Sequence, residues 1–136
     1  MKFDTKIAVL LRDDLATWQR LNVTAFLVSG VAAHEPSLIG EAYADADGTP
    51  YLPMFRQPVL VYAGSAALMS QAHRRALERG VAVTVFTEDL FKTGNDVDNR
   101  AAVAAVPREE LRLVGIGLHG PRSVVDKILK GAALHP

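Results

Sequence analysis

Apolar positions along the chain fall into four short runs with strand character and three longer segments with helical spacing. Residues 6–11 (KIAVLL) are apolar on both alternating faces, as a central strand covered on both sides must be, and Arg12-Asp13-Asp14 ends the run with charge. In residues 15–34, Leu21, Ala25, Val28 and Ala32 recur at i, i+4, i+7 and i+11, which predicts a helix with this stripe on the core. Phe26, Leu27 and Val31 widen the stripe, so the helix is expected to be buried on most sides. Asp14 or Thr17 suits its N-cap, and His34-Glu35-Pro36 ends it.

Residues 37–57 lack periodicity. The turn signal Asp45–Pro50 separates two β-like pieces, Glu41–Ala44 and Thr49–Leu52, and predicts a loop or small hairpin. Residues 58–63 (PVLVYA) read as a second strand. Ser65 can cap a helix through 66–79, with Met69, Ala72 and Ala76 inward and Gly80 as its stop. Residues 81–87 (VAVTVFT) are a third strand, Asp89–Gly94 a loop, and Asn99–Val106 a short helix ended by Pro107. Residues 111–117 (LRLVGIG) read as a fourth strand, and Pro121 opens a last helix to about Lys130. This alternation predicts an α/β three-layer sandwich: a four-stranded mixed, mostly parallel sheet with helices on both faces. The glycine-rich fourth strand is the candidate for an antiparallel member.

Composition narrows the class. A length of 136 residues suits one domain spanning residues 1–136, and 22% charged residues exclude a disordered chain. The absence of cysteine removes disulfides, thiolate catalysis and cysteine-based zinc sites, and fits a cytoplasmic protein. Asp4 interrupts any signal-peptide pattern, and no apolar run approaches the ~20 residues of a membrane helix. With 15 basic and 15 acidic residues the net charge is zero, so nucleic acid is an improbable partner.

Gly115-Ile116-Gly117-Leu118-His119-Gly120 spells the glycine pattern of dinucleotide sites. Those sites also need an acidic residue about 20 positions on, in a second strand. The chain ends 16 residues after Gly120, so the glycines read instead as a strand approaching a neighbour closely. No dinucleotide or other cofactor is expected. The four histidines show no metal-ligand spacing, and no metal is expected. His119 lies beside the glycine turn and is a candidate to touch a ligand. Asn22 and Thr24 are polar positions in a largely apolar helix. They either satisfy the backbone and a neighbouring loop or line a cleft at the sheet edge. Asp89, Lys92 and Thr93 cluster after the third strand, where open α/β sheets bind ligands, though a solvated Asp–Lys pair is the alternative.

Three features together resemble the peptidyl-tRNA hydrolase type II fold: Arg12-x-Asp14-Leu15 after an apolar strand, Asp89-x-x-x-Thr93, and Gly115-Ile116-Gly117 through Gly120-Pro121. The stretch Asn22–Ala25, the Asp45–Gly48 turn and Leu113–Pro121 are similar to a branch of that superfamily made of bacterial proteins of unknown function. The resemblance implies a site in which Asp89 and Thr93 match the family's aspartate and threonine. The family's histidine position falls on Val28 and its lysine at about Leu21, and Thr17-Trp18-Gln19-Arg20 replaces its glycine-lysine loop. Valine cannot activate water, so the fold is expected without peptidyl-tRNA hydrolase activity.

Three functions compete on this reading. The first is a non-hydrolytic protein that binds a small polar ligand through Asn22, Thr24, Asp89, Lys92 and Thr93. The second is a hydrolase or transferase with a rebuilt site, in which Asp89 or His119 activates water and Lys92 stabilises developing charge. The third is a structural or partner-binding subunit. Homodimerisation is expected from the apolar-rich composition and the resemblance.

Overall fold

A computed structural model describes residues 2–136, so Met1 of the N-terminal segment read above lies outside it. The strands are β1 (Thr5–Arg12), β2 (Tyr43–Ala44), β3 (Pro50–Tyr51), β4 (Val59–Gly64), β5 (Val83–Thr87), β6 (Leu113–Pro121) and β7 (Ala133–Leu134). The helices are α1 (Thr17–His34), α2 (Ala66–Glu78), α3 (Asp96–Ala104) and α4 (Arg122–Ile128). β2 and β3 pair as the small hairpin that the Asp45–Pro50 turn foretold.

The main sheet has five strands in the order β5-β6-β1-β4-β7, not four. The expectation of a mostly parallel sheet is also corrected: β1 and β4 pair in parallel, whereas β1–β6, β5–β6 and β4–β7 are antiparallel. The reason lies in where the excursion between β5 and β6 begins and ends. Thr87 pairs with Leu113, and the Glu88 N–H donates to the Arg112 carbonyl at 3.0 Å. α3 therefore sits in a loop that returns to the same end of the sheet, and β6 must run back along β5. β6 is also longer than expected and lies inside the sheet between β5 and β1.

Alternation along β1 divides the core. Ala8 and Leu10 pack with Met69, Ala72 and Ala76 of α2 and with Val125 and Ile128 of α4. Val9 and Leu11 point the other way and pack with Val23 and Leu27 of α1. Ile7 joins Val31 and Leu38 at the C-terminal end of α1. Ser65 caps α2 as expected, accepting from the Leu68 N–H at 3.1 Å. α1 is capped at Ala16 instead of Asp14 or Thr17, and the Ala16 N–H is satisfied by Gln19 Oε1 at 2.9 Å.

The helix stripe requires a further correction. The buried line of α1 is Val23, Leu27 and Val31, and the stripe through Leu21 and Ala25 is exposed. Apolar residues surround much of α1, so spacing alone could not choose the inner face. The glycines of β6 chose it. A Cβ on Gly115 would lie 2.7 Å from Val23 Cγ1, and one on Gly117 would lie 3.1 Å from Leu27 Cβ. α1 therefore rests directly on the β6 backbone, as the close-approach reading requires.

Candidate ligand cleft

Trp18, Asn22 and Phe26 stand four residues apart on α1 and so share one side of it. Across from them, β5 runs into a 3-10 turn (Glu88–Lys92) and then α3. Between the two lies a cleft of about 410 Å³ whose lining includes Trp18, Asn22, Phe26, Phe91, Thr93 and Asn99. Its wall is a chain of aromatic edges. Trp18 and Phe91 meet at 5.7 Å between centroids, Phe91 and Phe86 at 5.1 Å, and Phe86 and Phe26 at 5.8 Å. A shift in the β5–β6 register between Phe86 and Thr87 marks the strand end where this wall begins.

The polar part of the lining is made of amides and a hydroxyl. The Thr93 hydroxyl lies against the Leu90 carbonyl oxygen at 3.0 Å and against the side-chain carbonyl of Asn99. That contact orients the Asn99 amide and leaves its NH₂ without a partner among the described residues. Asn22 is exposed, and its carboxamide likewise has no partner among them, contrary to the alternative of an amide bonded to a loop. Asn95 caps α3, accepting from the Asp98 N–H at 2.9 Å. Asp96 also lines the cleft and is paired with Arg100 one turn on. The cleft continues between α1 and α3 as an apolar trough of about 550 Å³ past Leu27, Gly30 and Val103.

The expected site residues do not all converge. Asn22 and Thr93 share the cleft, whereas Asp89 and Lys92 are exposed on the 3-10 turn, outside its lining. Asp89 makes no ion pair or side-chain hydrogen bond among the described residues. Thr24 faces the opposite side of α1, and its hydroxyl donates to the Arg20 carbonyl at 2.7 Å, one turn back. His119 lines a separate cavity of about 390 Å³ with His34 and Glu35, at the other end of α1. Trp18, Phe26, Phe91, Asn95, Asp96 and Asn99 are among the lining residues that sequence reasoning missed. The i, i+4, i+8 spacing of Trp18, Asn22 and Phe26 was the available signal. Nothing in the sequence placed α3 opposite them.

No group of three histidine, aspartate or glutamate side chains among the described residues is arranged to hold a metal ion. No helix among them is long and apolar enough to cross a membrane. His119 is instead a source of pH dependence. Burial lowers its pKa, with nearby His34 acting in the same direction and Glu35 opposing. Burial also lowers His73, aided by Arg108 and opposed by Glu109. Both imidazoles thus take up a proton less readily in the folded chain than in the unfolded one. The stability this contributes is present above the ordinary imidazole value of about 6.5 and is lost as pH falls through the lowered folded values. Denaturant melts at about pH 7.5 and pH 5.5 should show this loss, and His119→Asn should reduce it. An equal acid loss in wild type and variant would remove His119 as a contributor.

Architecture and cleft together define an α/β domain with a lateral, aromatic-walled pocket at the end of an edge strand. The chain belongs to the family described as protein of unknown function DUF2000, whose model matches residues 5–136. A solved protein of unknown function from Agrobacterium strain C58 is 46% identical, with a TM-score of 0.97, over 99% of this chain and 100% of the other. Among curated proteins no match was found.

Proposed function

We propose that this protein binds a small, uncharged, planar ligand in the cleft between α1 and α3 and does not hydrolyse it. The observation that carries the reading is the pair of carboxamides facing one aromatic-walled cavity: Asn22, which has no partner among the described residues, and Asn99, whose carbonyl is held by Thr93 and whose NH₂ is free among them. A carboxamide both donates and accepts, and so can read the edge of an amide or heterocycle. Trp18 and Phe26, each more than half exposed, offer ring faces for stacking. A volume of about 410 Å³ suits a small ligand, and the adjoining trough would take an apolar extension. The acidic first turn of α3, with Asp96 and Asp98, disfavours an anion there.

Binding is favoured over hydrolysis by the character of the lining. Its one ionisable side chain, Asp96, is engaged by Arg100, and a general base must be free to take a proton. Val28, which the peptidyl-tRNA hydrolase resemblance aligns with a histidine, packs against the α1-side core. The reading keeps that superfamily's three-layer architecture as an inherited frame and does not rest on Asp89.

Trp18 is the only tryptophan and stands in the wall, so the chain reports its own occupancy. A panel of nucleobases, nucleosides and aromatic carboxamides is expected to contain a member that changes Trp18 fluorescence and raises Tm. Asn99→Ala and Asn22→Ala should each weaken that binding by about tenfold. A ligand whose affinity is unchanged in the double variant would sink this site. Turnover of an aminoacyl or peptidyl ester by the wild-type chain would sink the non-hydrolytic part.

A further inference from the structure

We propose that the cavity between the C-terminal end of α1 and the start of β5 is a second ligand site, taking a small protonated amine that also carries a hydroxyl or amide group. It is separate from the cleft. A Cβ on Gly30 would collide with Thr84 Cγ2, so α1 rests on β5 between this cavity and the trough beside α3. Its occupancy does not depend on whether the cleft binds anything.

The acceptors gathered here lack a cation. α1 is 18 residues long and stops before Pro36, which has no N–H to continue its ladder. The last carbonyls therefore concentrate partial negative charge at this end. Glu35, the C-cap, lines the cavity there, and a carboxylate at the negative end of a helix costs stability. Nothing in the fold offsets that cost. Glu35 is partly buried, accepts from the Ser37 hydroxyl at 2.7 Å, and pairs with no lysine or arginine among the described residues. The basic side chain of the last turn, His34, is exposed and is an imidazole without a fixed charge. A residue that breaks a local rule without internal compensation marks a functional position more often than a neutral one. A bound ammonium supplies the missing charge.

The opposite wall supplies the second contact. His119 of β6 lines the cavity, and its Nε2 is sealed from solvent with no hydrogen-bond partner among the described residues. That leaves Nδ1 to meet a ligand. Protonating the ring would bury an Nε2–H without an acceptor, so the ligand meets a neutral ring that donates or accepts at Nδ1. Such a ring suits a hydroxyl or an amide, not a second charge. Thr84 is already committed, its hydroxyl donating to the Leu27 carbonyl at 2.9 Å. Val31, Val81, Val83 and Pro121 form an apolar wall for a short carbon chain. A volume of about 390 Å³ suits a small molecule. The carboxylate and imidazoles are not arranged to hold a metal ion, whereas an ammonium needs acceptors but no fixed coordination geometry.

Three probes test the assignment: 4-aminobutan-1-ol, butane-1,4-diol and 4-hydroxybutyrate, which share a chain and a hydroxyl and differ in charge at the other end. In NMR titrations of the full chain near neutral pH, the amine is expected to shift the His119 ring and Gly120 amide signals, with a Kd of about 1–10 mM. It should bind about fivefold or more tightly than the diol and the carboxylate. Glu35→Gln should weaken it about tenfold. His119→Phe keeps the ring, loses both nitrogens, and should weaken it about threefold. Glu110→Gln removes the same charge from the turn before β6, at the opposite end of that strand from His119, and should leave the Kd unchanged. No shift with the amine up to about 50 mM overturns the proposal. So does equal or tighter binding of the diol or the carboxylate, or a loss in Glu110→Gln as large as in Glu35→Gln. An unchanged Kd in Glu35→Gln or in His119→Phe also overturns it, so either variant decides alone if the other fails to fold.

Discussion

Replacing Gly117 by valine is expected to cost about 3 kcal/mol or more, a large share of the stability of a domain this size. Gly117 lies on β6, which is paired on both sides and cannot move aside. A Cβ there would stand 2.6 Å from Thr84 Oγ1 and 3.1 Å from Leu27 Cβ. Relief would require α1 to lift off the sheet. It would also disturb the Thr84 hydroxyl, which donates to the Leu27 carbonyl at 2.9 Å and ties β5 to the helix. The third glycine of the motif provides the control. A Cβ on Gly120 meets only Val125 Cγ2, at 3.7 Å, an ordinary contact. Gly120→Ala should therefore stay within about 1 kcal/mol of wild type. Urea melts would read both as shifts in midpoint at constant slope. A Gly117→Val chain as stable as wild type would refute the packing role of this glycine.

Removing the carboxylate of Asp126 is expected to cost about 2 kcal/mol. Lys6 is only 8% exposed, on the α2/α4 side of the sheet. Its ammonium donates to Asp126 Oδ1 at 2.5 Å and to the Tyr62 hydroxyl at 3.1 Å. Asp126→Ala would leave that charge nearly buried with a single neutral partner. Lys6→Met should be milder, since it removes the charge together with the need to pair it. Burial alone would lower the Lys6 pKa, but the hydrogen bonds to Asp126 and Tyr62 outweigh it and hold the group above its ordinary value. The stability so gained is present below about pH 10.5 and is lost as pH rises through the folded value. Alkaline denaturation should thus be steeper in wild type than in Asp126→Ala. Parallel curves would show that the pair contributes nothing to folding.

Much of the local structure was legible because it rests on local chemistry. Ser65 and the Met69, Ala72, Ala76 stripe define α2, whose two faces differ sharply in polarity. The Asp45–Pro50 turn predicts its hairpin because Asp45 satisfies the turn's own N–H groups. The cleft was legible only in part. Asn22 and Thr93 were singled out and do meet, but Asp89, Lys92 and Thr24 were grouped with them by nearness in sequence. The 3-10 turn aims Asp89 and Lys92 outward, and Thr24 sits half a helical turn from Asn22, on the opposite side of α1.

By itself, then, the sequence determined the principal strands and helices, though not β7, and that Gly115 and Gly117 mark a close approach. Periodicity, caps and glycine each act within a few residues of chain. Tertiary structure decided what those elements do to one another. It turned β6 antiparallel, because the excursion through α3 returns to the end of the sheet it left. It chose Val23, Leu27 and Val31 as the inner face of α1, because the backbone of β6 leaves room for that line of side chains. It brought Asn99 opposite Asn22, 77 residues apart in the chain. Each outcome depends on contacts between distant segments, and no local pattern encodes which of several apolar faces, or which amides, will meet.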